Sequence, residues 1–433
     1  MSAGQETDGR RPSKGRKRIF LLMTLGLGLA FSVGLTEAVF FVLEAKQYSL
    51  ASFEGAETVP DDRWGWKPAQ GKYHWKTSEY DTHGFINKLH MNDEPIAKED
   101  ANKTRILVLG DSHTFAIGAS SDDSWPAQLE NLLNKHGKSA FRTYNAGVQG
   151  YSIHQYLTRL RDQGPIVKPH YVVVGLSFAT DFYDLLPPDR GGWIYGGQLC
   201  RIYYDFSHDG SDELVEIKST PNKEEGAAKE PHKRASNLAQ SLRQFLGHFA
   251  TFRYLRRTNL ALWVGSHVTV QGQSLWPNMD VILTKEISDL HSYQWKLAYA
   301  LIKELDAESR RQGAKLVIVG IPYLPQVYDE IWDATFKGSD WAVRDAAPQR
   351  IQKWCAERNI SYVKTLDSFR TAVKKQGRWL HHSDDAHPTA EGHTVIAEAV
   401  KNANVINAAS PKTDDAGVQE NREPTGADKR RDG

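Results

Sequence analysis

Short apolar runs that alternate with helical patterns limit this chain's fold more than any other feature. Arg105–Leu109 (RILVL), Tyr171–Leu176 (YVVVGL) and Lys315–Ile321 (KLVIVGI) are apolar on consecutive positions rather than on every second one. That pattern suits strands buried on both faces, as in a parallel sheet. Two shorter runs, Phe141–Tyr144 and Ser361–Val363, read as further strands. Helical periods lie between them at Ser124–His136, Ile153–Gln163, about 286–312, Val343–Arg358 and Ala390–Lys401. Ser124 is placed to cap its helix and Gly137 to stop it. The alternation predicts an α/β fold, a doubly wound parallel sheet of about five strands with helices on both faces. In such sheets, ligands bind at the carboxyl ends of the strands.

The N-terminus follows a different rule. Ile19–Thr36 carries no charge, and the apolar pattern resumes after Glu37 through Leu43. At about 1.5 Å per residue, Ile19–Leu43 is long enough for a hydrocarbon core of roughly 30 Å. Arg10, Arg11, Lys14, Arg16, Lys17 and Arg18 precede it. The positive-inside rule then predicts one transmembrane helix with a cytoplasmic N-terminus and the rest of the chain extracytoplasmic. A signal peptide is the competing reading, against a long apolar region and no clear small-x-small cleavage site. Glu37, costly inside a membrane, is expected near the outer interface.

The expected organisation is a basic cytoplasmic segment at 1–18, the anchor at 19–43, and a Trp- and Gly-rich lead-in at 44–102. A catalytic domain at 103–405 follows, with an insertion at 185–286, and then a disordered polar tail at 406–433. Within the insertion, Ser207–Ser236 reads as a mobile excursion and Leu238–Arg257 as an Arg-rich helix. With 54 basic and 53 acidic residues the chain is nearly neutral, which gives no electrostatic basis for nucleic-acid binding. Two distant cysteines exclude a disulfide scaffold and a cysteine-based zinc site.

Gly110-Asp111-Ser112-His113-Thr114 follows directly on the first strand, which puts Ser112 on a strand-to-helix turn at the sheet rim. Such a turn exposes a hydroxyl, and the helix N-terminus offers N–H groups to an anion. A serine nucleophile needs a base and a group to orient that base. Asp384-Asp385-Ala386-His387 supplies both from one segment before the last helix. The same residues also read as a helix-capping turn. His381, His382, His387 and His393 lie close enough in sequence for a metal site, but their spacing is irregular and no carboxylate cluster matches it. Asn145-Ala146-Gly147 closes the second strand, where Gly147 can offer an N–H to an oxyanion. Thr180-Asp181 follows the third strand.

These four segments, in this order, resemble the SGNH hydrolase superfamily (the GDSL-like enzymes), from about Arg105 to Asn402. Thr82-His-Gly-Phe85 upstream resembles a lead-in of membrane-anchored bacterial members. The resemblance implies Ser112 as nucleophile, His387 as base and Asp384 as its orienting acid. It implies oxyanion donors at the Ser112 and Gly147 N–H groups and at position 180, where threonine stands in place of the family's asparagine. It implies no cofactor and no metal. The expected activity is serine-dependent hydrolysis of an acyl ester on an extracytoplasmic glycan or lipid. Acyl transfer to a sugar hydroxyl would use the same residues. A degenerate glycan-binding protein is the non-catalytic reading, with Trp64, Trp66 and Trp75 as either sugar platforms or packing.

Overall fold

The computed structural model describes residues 14–408 except 50, 78, 136–139, 179, 186–193, 196–197, 200–201, 208, 210–211, 219–278, 288 and 383–385. A helix, α1 (Lys14–Ser49), begins the chain. Its stretch Met23–Val42 has a mean hydropathy of 1.9, has no buried residue, and is long and apolar enough to cross a membrane.

The lead-in, read in sequence as lacking any long period, forms five short strands. These are β1 (Ser52–Glu54), β2 (Thr58–Asp61), β3 (Gly65–Pro68), β4 (Gly71–Lys76) and β5 (Asp81–Ile86). β1, β4 and β5 make one antiparallel sheet, and β2 pairs with β3. Of the two readings of Trp64, Trp66 and Trp75, packing is the one met here. Trp66 is buried and its Nε1 donates to the Gln149 carbonyl at 2.8 Å, while Trp64 Nε1 donates to Asp162 at 2.7 Å. Trp75 stacks on Phe115, with ring centroids 5.6 Å apart.

The main sheet has five parallel strands: β6 (Thr104–Gly110), β7 (Phe141–Gly147), β8 (Tyr171–Ser177), β13 (Lys315–Ile321) and β14 (Ser361–Lys364). Their order across the sheet is β14-β13-β8-β6-β7. Alternate residues of each strand serve opposite cores, as the two-residue period of a strand requires. Leu107, Leu109, Val172, Val174, Leu176, Leu316 and Ile318 pack on one face with α4 (Ile153–Val167), α6 (Asp289–Arg311) and α9 (Ala346–Ala356). Ile106, Val108, Val173, Val317, Val319 and Ile321 pack on the other with α3 (Trp125–Asn134), α10 (Leu366–Gln376) and α11 (Ala390–Asn402). Burying each such side chain contributes about 1.5–3 kcal/mol, so the sheet is anchored on both sides. The chain leaves β6 for β7 on one side and returns to β8 on the other, so the topological switch point lies between β6 and β8.

Several local expectations shift. Ser124 caps α3, its Oγ accepting from Ala127 N at 3.3 Å, while Gly137 lies outside the described residues. The helix expected from Val343 starts at Ala346. The short helix α2 (Ser112–Phe115) opens on the nucleophile candidate. Within the insertion, β9 (Ile194–Tyr195) pairs with β10 (Gln198–Leu199), and β11 (Ile202–Phe206) with β12 (Leu214–Lys218). The stretch expected as a mobile excursion therefore begins in a hairpin. That hairpin docks on α4, where the Thr158 and Tyr204 hydroxyls lie 3.2 Å apart. Helix α5 (Met279–Leu283) precedes α6, and α7 (Leu324–Val327) and α8 (Asp329–Phe336) follow β13. The expected helix Leu238–Arg257 and most of the tail lie outside the described residues.

Candidate active site

Three glycines make room for the nucleophile turn. Gly110 at the end of β6 is in register with Gly147 of β7 on one side and Gly175 of β8 on the other. A Cβ at Gly110 or Gly175 would collide with the Thr114 side chain, and one at Gly147 with the backbone of Thr114 and Phe115. The row forms a flat seat across three strands, and α2 lies on it.

Two side-chain amides then clamp the turn. Asn145 Nδ2 donates to the Thr114 carbonyl at 2.9 Å and Asn92 Nδ2 to the Phe115 carbonyl at 2.7 Å. Sequence reasoning did not single out either asparagine. Asn145 stands in the Asn-Ala-Gly segment already marked for its glycine, which was the available signal. Asn92 gave none, because its partner is 23 residues away on another element.

On this seat Ser112 is nearly buried, 9% exposed, with its Oγ 2.7 Å from His387 Nε2. The loop carrying His387 is pinned at both ends: His382 N donates to the His387 carbonyl at 3.0 Å and Thr389 N to the Leu380 carbonyl at 2.9 Å. The His382 ring lies 3.0 Å from the Gly118 carbonyl, which ties this loop to the segment after the nucleophile turn. Asp384, the expected orienting acid, lies outside the described residues.

The expected oxyanion donors differ in their partners. The Ser112 N–H has no acceptor among the described residues. The Gly147 N–H donates to Asn145 Oδ1 at 3.0 Å. The Thr180 hydroxyl donates to Asp111 Oδ2 at 2.6 Å.

Asp111 caps α2 and is fully buried. Burial alone would raise its carboxyl pKa. The charge and hydrogen bonds of His113 and the Thr180 hydroxyl outweigh that and hold it below the usual range. Asp181, equally buried, accepts from Ser177 N and from the Tyr156 hydroxyl, both at 2.7 Å. Burial and the nearby Asp111 charge push its carboxyl well above the ordinary value. The two neighbouring acids are thereby driven in opposite directions.

The remaining histidines of the last block do structural work. His393 Nδ1 accepts from Trp125 N at 3.3 Å, and burial lowers its pKa to about 3. The Tyr328 hydroxyl accepts from Leu380 N at 2.9 Å and is hydrogen-bonded to His381 Nδ1, 2.8 Å away. Among the described residues no group of three or more histidine, cysteine or acidic side chains is arranged to hold a metal.

No family model matches the chain, and no curated protein sequence does. Solved structures are similar at low identity. TesA is 15% identical with a TM-score of 0.33, covering 69% of this chain and 97% of its own. An Axe2 variant, an acetylxylan esterase from Geobacillus stearothermophilus, is 13% identical with a TM-score of 0.35, covering 71% and 96%. LAE5, an alpha/beta hydrolase enzyme from the metagenome of Lake Arreo, is 15% identical with a TM-score of 0.34, covering 69% and 94%. The fold assignment rests on strand order and register rather than on these likenesses. A five-stranded doubly wound sheet, with Gly110-Asp111-Ser112 on the turn after its first strand and His387 before its last helix, is the α/β architecture that the resemblance to SGNH hydrolases implied.

Proposed function

We propose that the chain is a serine-dependent acyl-ester hydrolase acting on an acylated glycan or lipid outside the cytoplasmic membrane. The observation that carries this reading is the 2.7 Å approach of His387 Nε2 to Ser112 Oγ at the switch point of the sheet. Ser112 Oγ attacks the ester carbonyl carbon while His387 Nε2 takes the hydroxyl proton. The tetrahedral intermediate collapses, its carbonyl re-forms, and the alcohol leaves with the proton from His387. Water then attacks the acyl-enzyme, again giving its proton to His387, and Ser112 departs with that proton as the acid is released. Asp384 orients His387 from the same loop.

The Ser112 N–H is the first oxyanion donor in this reading. The Gly147 N–H, in register with Gly110 at the same rim, is the second. The extracytoplasmic setting follows from the basic residues ahead of the apolar helix.

A fluorophosphonate probe tests the nucleophile. It should label the full-length protein and fail to label Ser112→Ala. Undiminished labelling of that variant would refute the assignment of Ser112.

A further inference from the structure

We propose that Thr180, Asp111 and His113 form a positioning chain that sets the charge environment of His387. The proposal rests on the reading of His387 as the base. The chain begins at Asp111, whose side chain is surrounded by donors. Its Oδ1 accepts from His113 N at 2.9 Å, both carboxylate oxygens lie within 3.2 Å of His113 Nδ1, and Oδ2 accepts from the Thr180 hydroxyl at 2.6 Å. An ionised carboxylate can only accept. His113 Nδ1 must therefore carry its hydrogen, which fixes the tautomer and the plane of the ring. That ring lies against His387, centroids 4.9 Å apart and planes tilted by 42°.

Transfer of the Ser112 proton makes His387 an imidazolium in contact with the His113 ring, with the Asp111 carboxylate behind it. The Asp111 carboxylate, hydrogen-bonded to His113 Nδ1, favours that cation. Thr180 has one hydroxyl hydrogen, and Asp111 receives it. Position 180 thus acts through the acid and not directly on substrate.

The other charged or titratable groups around the pair leave Asp111 as the anion behind His113. His381 and His393 are held neutral by burial, and His382 Nε2 faces the Gly118 carbonyl. Asp181 and Asp184 have carboxyl groups pushed well above the usual value, by burial first and by the Asp111 charge. Asp384 and Asp385 lie outside the described residues.

The test is the pH dependence of kcat/KM for 4-nitrophenyl acetate with the full-length protein. Its acid limb reports the pKa of the base in the free enzyme. Asp111→Asn keeps a side chain able to cap α2 and removes the charge. The acid limb should then move to lower pH, by about one unit. Thr180→Val, close to isosteric, should lower kcat about tenfold with little change in KM, and Thr180→Ser should restore it. In an Asp111→Asn background the Thr180→Val loss should vanish, because the hydroxyl acts through the acid.

An unmoved acid limb in Asp111→Asn, or a Thr180→Val loss that persists in that background, overturns the proposal. If Asp111→Asn does not fold, a Thr180→Val variant with wild-type kcat overturns it instead. These outcomes are separable from failure of the base itself, since His387→Ala with wild-type turnover would remove the reading on which the chain depends.

Discussion

Four histidines fall between positions 381 and 393, and in sequence only the Asp-x-x-His spacing sets His387 apart. Burial and partners separate them. His393 is fully buried and receives the first N–H of α3, so it completes a helix end that would otherwise leave a donor unpaired. Its pKa of about 3 keeps it neutral and able to accept that hydrogen at ordinary pH. His387 is half-buried and faces Ser112. His387→Ala and Ser112→Ala should each cut kcat by about 10³-fold or more, and the double variant should be scarcely worse, because residues working as one unit are not additive. His393→Ala should lower stability by about 2 kcal/mol, through the lost cap and the cavity, and leave measurable turnover. Thermal melts beside initial rates would check this. Multiplicative losses in the double variant, or a dead but fully stable His393→Ala, would reverse the two roles.

At the scale of elements, the nucleophile turn is positioned by the strands beneath it, and the glycine row makes this testable. Gly175→Ala would put a Cβ into the Thr114 side chain, whose buried hydroxyl has no hydrogen-bond partner among the described residues. Thr114 can be trimmed without breaking such a bond. Gly175→Ala should therefore lower kcat about 10²-fold, since misplacing a reacting group by about 1 Å costs that much. Adding Thr114→Ala should recover most of the loss. Gly147→Ala meets backbone instead, so no side-chain trimming should rescue it. Equal rescue in both cases would mean that the seat does not position the turn. The three glycines stand in plain view in the sequence, but their shared row depends on strand register, which no single segment reveals. The same limit hid α10, where only Leu366 and Phe369 are buried, too narrow an apolar stripe to stand out. It also hid the lead-in strands, which run three to six residues, β1 with every position exposed and β4 and β5 mixing buried with exposed ones.

For the whole molecule, legibility followed burial. β6, β8 and β13 could be read as continuous apolar runs because helices cover both of their faces. The Thr180–Asp111 contact could not, because it joins residues 69 positions apart through side chains. The apolar run of helix α1 could be read from composition alone, being long and apolar enough to cross a membrane. No described residue of its Met23–Val42 stretch is buried, and Phe31 and Phe41 are 72% and 61% exposed. An apolar surface of that extent on an isolated helix is unfavourable in water and suits a bilayer. Orientation then depends on the flanks, where Arg10, Arg11, Lys14, Arg16, Lys17 and Arg18 favour the cytoplasmic side. Alkaline phosphatase fused to the C-terminus should therefore be active and green fluorescent protein at the same position dark. Replacing the six basic residues with glutamine should weaken that asymmetry. A bright fluorescent fusion with inactive phosphatase would place the Ser112 site on the cytoplasmic side and remove extracytoplasmic glycans and lipids as its substrates.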